Sequence, residues 1–185
     1  GQLYAATPIN DKLGVDIALT GREQKSGWGK NLFNGDDYGK GWMYGARLKL
    51  VWRPGDATKV TMSTDFKRSK DTFTSGFQIL KDSLALAGTV ATGTTYGYQG
   101  DYNVNGPNVG SATIKVWGAA LTIEHQLDWA TLTSISGTRF VRVQSLLDAD
   151  YTPITLTFAD VQGKTRTFQQ ELRLSSPGAG KLTWQ

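Results

Sequence analysis

The sequence predicts an all-β chain: an antiparallel strip of about eight strands, of the kind that crosses a membrane as a β-barrel. Three observations carry that expectation. Apolar and polar residues alternate with a period of two in several stretches. Short and long connections follow one another in strict alternation. No apolar run approaches the ~20 residues of a membrane helix, a limit that does not apply to spanning strands.

The clearest element is residues 42–66, WMYGARLKLVWRPGDATKVTMSTDF. Trp42, Tyr44, Ala46, Leu48, Leu50 and Trp52 fall on one face, and Met43, Gly45, Arg47, Lys49 and Val51 on the other. Pro54-Gly55-Asp56 signals a tight turn. Val60, Met62, Thr64 and Phe66 then continue the apolar face, opposite Lys59, Thr61, Ser63, Asp65 and Lys67. This is a β-hairpin with aromatics at both ends of its apolar face. At ~3.3 Å per residue and a ~40–45° tilt, the stretch between Trp42 and Trp52 gives roughly 25 Å of height, the apolar band of an outer-membrane barrel. Taken alone, the hairpin fits a half-buried hairpin of a soluble sandwich equally well.

Composition narrows the classes. The chain has 185 residues, enough for one domain. It has no Cys and a single His, His125, which excludes a disulfide framework and a thiolate or His-rich metal site. The 22 glycines and 11% aromatics suit many strands and turns. The net charge of +4 is dispersed along the chain, so no nucleic-acid partner is expected. No signal peptide is present, as expected of a soluble protein or of a mature or truncated piece of an exported one.

In chain order, residues 1–6 read as the tail of a strand, 7–11 as a short turn and 13–20 as a second strand, with Leu13, Val15, Ile17 and Leu19 on one face. Residues 23–41 are a polar, Gly-rich loop preceding the hairpin. Residues 69–112 form a long connection, in which Phe77, Leu80 and Leu84 at helical spacing predict a short helix stopped by Gly88. Residues 115–127 are a strand with Trp117, Ala119, Leu121 and Ile123 on one face. Residues 129–142 return as a strand by context, since Leu132 and Phe140 share a face with Ser134, Ser136 and Thr138. Residues 143–164 read as a third long loop. In 165–175, Phe168, Leu172 and Leu174 point one way and Gln169, Glu171 and Arg173 the other. A turn at 177–180 leads into a strand begun at 181–185.

The connections decide between the two readings. In a transmembrane barrel the short turns lie on the periplasmic side and the long loops outside. A soluble sandwich has no reason to sort its loops by length, and its unstructured loops rarely exceed ~12–15 residues. The barrel is therefore favoured.

Four segments then resemble TonB-dependent outer-membrane receptors. TFQQELRLSSPGAGKLTWQ, residues 167–185, is similar to a recurrent strand with a "QELRL-SP" core that turns into a strand opening with Leu-x-Trp. LDWATLTSISGTRF resembles the hairpin before it, SLLDADYTP the intervening loop, and YGARLKLVWRPGDATKVTMSTDF an earlier "gRxxLxWxP" hairpin. The matches keep the family's order over most of residues 13–185. The resemblance implies a 22-stranded barrel around a plug, of which residues 1–185 are an internal portion of the barrel domain. It also implies a Gram-negative outer-membrane location, outer-membrane lipid as surroundings, and partnership with the plug and the TonB energy-coupling system. The activity implied is active import of a scarce nutrient such as an iron chelate (a siderophore), a vitamin or a glycan. The interrupted last strand and a final Gln185, in place of an aromatic terminus, fit a partial barrel.

In that arrangement Asp16, Arg47, Lys49, Asp65, Lys67, Glu124, Glu171 and Arg173 face the lumen, where solvation or plug docking explains their charge. The exterior loops are the candidate ligand-binding region. Trp28, Phe33, Tyr38, Tyr96, Tyr98 and Tyr102 offer rings to stack on a flat ligand or a sugar, and Lys30, Lys40 and Lys70 offer positive charge. Packing within the loops is the competing role for each aromatic. No catalytic motif is present, neither GxSxG, HExxH nor a phosphate-cradling Gly loop, and no enzyme activity, metal or cofactor is expected. The carboxylates of 148–150 lack EF-hand spacing. Ser134 and Ser136 have no recognisable base. A small passive or structural outer-membrane barrel and a soluble carbohydrate-binding β-module are the alternatives.

Overall fold

The computed structural model describes residues 1–72, 79, 81–108, 110–148, 152–177 and 183–185. Its elements are β1 (Gln2–Asn10), β2 (Leu13–Gln24), β3 (Gly29–Lys30), β4 (Asp37–Tyr38), β5 (Gly41–Gly55), β6 (Thr58–Asp71), α1 (Leu86–Thr92), β7 (Ser111–Gln126), β8 (Thr131–Asp148) and β9 (Phe158–Ser175). Seven strands form one antiparallel sheet in the order β1-β2-β5-β6-β7-β8-β9, and β3-β4 is a separate small hairpin. Each strand of the large sheet thus pairs with its predecessor, a meander, and the sheet is open, with β1 and β9 at its edges.

The all-β expectation holds, and several boundaries move. Residues 7–11 are not a turn. β1 runs through Pro8 to Asn10, because an edge strand with a register shift between Pro8 and Asn10 tolerates a missing N–H. The turn itself is Asp11-Lys12, closed by the Lys12 N–H donating to Asn10 Oδ1 at 2.9 Å. The expected loop at 143–164 is mostly strand: β8 pairs with β9 without a break from Thr131↔Ser175 to Asp148↔Phe158. Leu146 and Leu147 are adjacent, so no local alternation announces a strand there, and the partner strand supplies the pairing. The helix begins later than its predicted place. Phe77 and Leu80 lie outside the described residues. Gly88 does not stop α1 but lies within it, where an added Cβ would come 2.0 Å from Thr152 Cγ2. Gly93 ends the helix instead, with φ +71° and its N–H donating to Thr89 O. The eighth strand does not form among the described residues, although the Ser176 N–H donates to Trp184 O at 2.9 Å.

The registers sort the side chains onto two faces. On one, Trp52–Val60–Ile123 and Leu50–Met62–Leu121 align across the strands, and Phe66–Trp117–Phe140 form an aromatic row. On the other lie Asp16, Arg47, Lys49, Asp65, Lys67, Glu124, Glu171 and Arg173. This face carries cross-strand ion pairs: Lys49–Asp16 at 3.9 Å, Lys59–Glu124 at 3.3 Å and Arg139–Asp65 at 2.9 Å. The last pair spans β7 over Gly118, where a Cβ would lie 3.1 Å from Arg139 Nη2. Among the described residues no second layer covers the apolar face, and Ile17, Leu19, Trp52, Met62, Phe66, Trp117, Phe168 and Leu172 are all exposed.

Because Gly118 is the gap through which Arg139 reaches Asp65, Gly118→Val and Arg139→Gln should each remove the same bridge. The double variant is expected to cost about as much stability as the costlier single one, with a coupling of at most ~1 kcal/mol for so exposed a pair. Urea unfolding of the four proteins checks this, and strict additivity would contradict it.

Candidate functional site

The buried residues among those described sit mainly where the long connections meet, at one end of the sheet: Asn31, Tyr38, Ala85, Ser111, Ala112 and Thr152. The organising group is Asn31, which is fully buried. A buried amide needs partners on both its nitrogen and its oxygen. Asn31 Nδ2 donates to Gly106 O at 2.9 Å, while Oδ1 accepts from the N–H groups of Phe33 at 3.1 Å and Gly106 at 3.3 Å. Backbone bonds extend the junction: Leu32 N–H to Val104 O at 2.8 Å and Val104 N–H to Lys30 O at 3.0 Å. Lys30 N–H also donates to Asn103 Oδ1 at 2.9 Å. Residues 23–41 and 99–106 are thus one packed unit. The connection after β8 joins it through Thr152 against Gly88 and through Asn108 Nδ2 donating to Thr155 Oγ1 at 3.0 Å.

The predicted ring residues separate on this cap. Tyr38 is buried, with 2% exposure, so packing explains it and it presents no stacking surface. Tyr96 is half-buried beside Gly88. Trp28, Phe33, Tyr98 and Tyr102 remain exposed. Trp28 and Tyr102 meet edge-on, ring centroids 6.2 Å apart at 73°, which makes a right-angled notch of two rings from two different loops. The Tyr98 hydroxyl donates to the Asp101 carboxylate, and that hydrogen bond, with some desolvation, raises the phenol above its ordinary range.

Charge is disposed differently from the expectation. Lys30 pairs with Asp37, and Lys40 lies 4.0 Å from the same carboxylate, so neither ammonium is free to draw an anion. The Lys30 hydrogen bond, opposed by slight desolvation and helped by the charges of both lysines, holds the Asp37 carboxyl below its ordinary range. Lys70 lies on the sheet opposite Trp42, not in the cap.

Among the described residues the remaining polar groups form no catalytic arrangement. Ser134 and Ser136 share one amide, Gln170, which accepts from Ser136 Oγ and donates to Ser134 Oγ at 3.1 Å. His125 Nδ1 hydrogen-bonds Thr58 Oγ1 at 2.8 Å. Among the described residues no group of three or more His, Cys, Asp or Glu side chains could hold a metal ion. Asn31, Asn103 and Thr152 are the residues that local pattern could not single out, since their partners are contributed by distant loops.

No family model matches the chain, and no curated protein or solved structure matches it either.

Asn31→Ala would leave the Gly106 backbone groups unpaired, at a cost of roughly 1–3 kcal/mol. Amide exchange should then accelerate together in residues 30–36 and 103–106; acceleration in the first segment alone would show that the loops are not one unit. Asp37 has a lowered pKa, so its pairing stabilises the cap above the ordinary Asp value of about 4 and is lost as pH falls through the lowered value. Trp28 fluorescence should therefore change on acidification below pH ~4, and this change should be absent in Asp37→Asn.

Proposed function

We propose that this chain is a strip of a transmembrane β-barrel from a TonB-dependent outer-membrane receptor, and that its cap takes part in capturing a scarce nutrient such as an iron chelate, a vitamin or a glycan. The observation that carries the reading is the uncovered apolar face. A row of large apolar side chains across seven strands has no layer over it among the described residues, while the opposite face is charged and ion-paired. A surface of that extent is incompatible with water and suits lipid. The polar face would then line the lumen around a plug. The edges β1 and β9 need further strands, because unpaired backbone groups are not tolerated in lipid.

A second support is the sorting of the connections. The turns at 11–12, 56–57 and 127–130 are short, and the cap gathers the long connections at the other end of the sheet. On this reading the cap is extracellular, and the notch of Trp28 and Tyr102 is its ligand-facing surface. A soluble carbohydrate-binding module would need its apolar face covered. A small passive barrel would need β1 to pair with β9 in a ring, and they are opposite edges of an open sheet.

Two measurements on the full-length protein test the reading. Single cysteines introduced at Ser26 or Gly100 should react with an impermeant label on intact cells, whereas one at Ala57 should not. Leu48→Arg, on the apolar face near mid-height, should reduce barrel stability by about 2–4 kcal/mol in a bilayer. A Leu48→Arg protein as stable as its parent, or labelling at Ala57 alone, would remove the membrane assignment.

A further inference from the structure

The apolar face ends in an unusual row. Two residues beyond Phe66, Trp117 and Phe140 toward the long loops, the registers align Arg68, Lys115, Arg142 and Lys164 on four adjacent strands. Arg166 lies beside Phe140 and adds another cation at the corner. All five point to the same side as the aromatic row, away from the ion-paired face: Arg68, Lys115 and Arg142 are two residues from a member of that row on the same strand, and Lys164 and Arg166 pair with Arg142 and Phe140. Neighbouring strands are ~4.8 Å apart, so four positive charges span only about 14 Å.

Like charges directly opposite one another on a sheet repel. None of these five side chains forms an ion pair with a described residue. The carboxylates on this face lie away from the row: Asp160 accepts from Gln144 and Gln162, Glu23 lies 3.8 Å from Lys25, and Asp148 stands six residues beyond Arg142 at the end of β8, opposite Phe158. Arg68 stacks its guanidinium 5.5 Å over the Trp42 ring, and its Nε is buried with no hydrogen-bond partner. A row of uncompensated cations fixed by the ladder is thus matched to an external anion.

We propose that this row binds the phosphate groups of lipid headgroups in the leaflet on the loop side. The inference rests on the membrane reading given above, and depth selects the occupant. A bilayer's headgroup zone adds roughly 5–7 Å to each side of its hydrocarbon core. Two residues of tilted strand beyond the aromatic row rise by about 5 Å. The cations therefore stand at headgroup level, with Trp117, Phe140 and Phe66 below them at the boundary. Arginine takes phosphate as a fork of two hydrogen bonds, and lysine adds point charge. Arg68 and Arg142 alternate with Lys115 and Lys164 along the row, so a single headgroup can be held between neighbouring strands.

The test uses the full-length protein in nanodiscs of phosphatidylcholine, with or without phosphatidic acid. Phosphatidic acid should raise the melting temperature of the parent and stay bound on extraction, as read by native mass spectrometry. Arg142→Gln should weaken that retention roughly fivefold, the ratio corresponding to ~1 kcal/mol per basic residue at an anionic surface. In phosphatidylcholine alone the same variant should be no less stable than its parent, because it relieves repulsion within the row. Lys164→Gln, at an exposed position, provides the same readout if Arg142→Gln does not insert. Equal retention by parent and both variants would overturn the proposal. So would equal stabilisation by inorganic phosphate, which would make the row a general anion site. A protein that never enters the discs would sink the membrane reading itself, an outcome distinct from one that inserts and ignores phosphatidic acid.

Discussion

Everything in this molecule depends on the register of one backbone ladder. Successive side chains of a strand point to opposite faces, so the pairing Leu48↔Thr64 and Arg47↔Asp65 decides at once which side chains join the apolar face and which the charged one. A slip of one residue between β5 and β6 would send Arg47 and Lys49 to the apolar side and break every alignment downstream. Few other contacts support the sheet, because among the described residues its faces carry no packed layer. Hydrogen bonding and cross-strand neighbours therefore do what a core does in most domains. Aromatic contacts between strands reinforce the alignment, with Tyr44 of β5 against Phe66 of β6 at 5.9 Å and Trp117 of β7 stacked on Phe140 of β8 at 6.1 Å.

The two faces resolve their charges in opposite ways. On the ion-paired face, acids and bases alternate between neighbouring strands, and Asp16, Asp65 and Glu124 each neutralise a base. These bridges are exposed and contribute little energy individually. Their effect is to keep a crowded charged surface near balance. On the apolar face Arg68, Lys115, Arg142 and Lys164 are collected in one line, while Asp160 and Glu23 on the same face pair with other residues. The same ladder that pairs opposite charges on one side stacks like charges on the other, which makes the second arrangement costly in isolation.

How much of this was legible in the sequence follows from the range of each interaction. The hairpin at 42–66 and the strands at 13–20 and 115–127 were readable because alternation is local. The sorting of Arg47, Lys49 and Asp65 from Leu48, Leu50 and Met62 needed nothing more. β8 beyond Arg142 and the first residues of β9 were not readable, since their strand character comes from pairing with each other. Gly88 looked like a helix stop because a local rule assigns glycine that role, whereas close approach to Thr152 explains it. In the cap, exposed rings could not be told from buried ones. Tyr38 and Trp28 are alike in sequence context, and only the fold of residues 23–41 buries one of them. Arg68, Lys115, Arg142 and Lys164 lie as much as 96 positions apart (164 − 68), too far for any local pattern to reveal as neighbours.

The junction at Asn31 has a consequence for immune recognition. Its partner is Gly106, 75 positions away, and the rings on either side of that junction, Trp28 and Tyr102, come from separate loops. An antibody footprint over this corner would be a discontinuous epitope. Serum raised against peptides from either loop would miss it, while serum raised against the folded protein would lose its target on denaturation. Sequence drift in one loop would also be constrained by the other, because a changed residue at the junction has to keep both amide hydrogen-bonding partners.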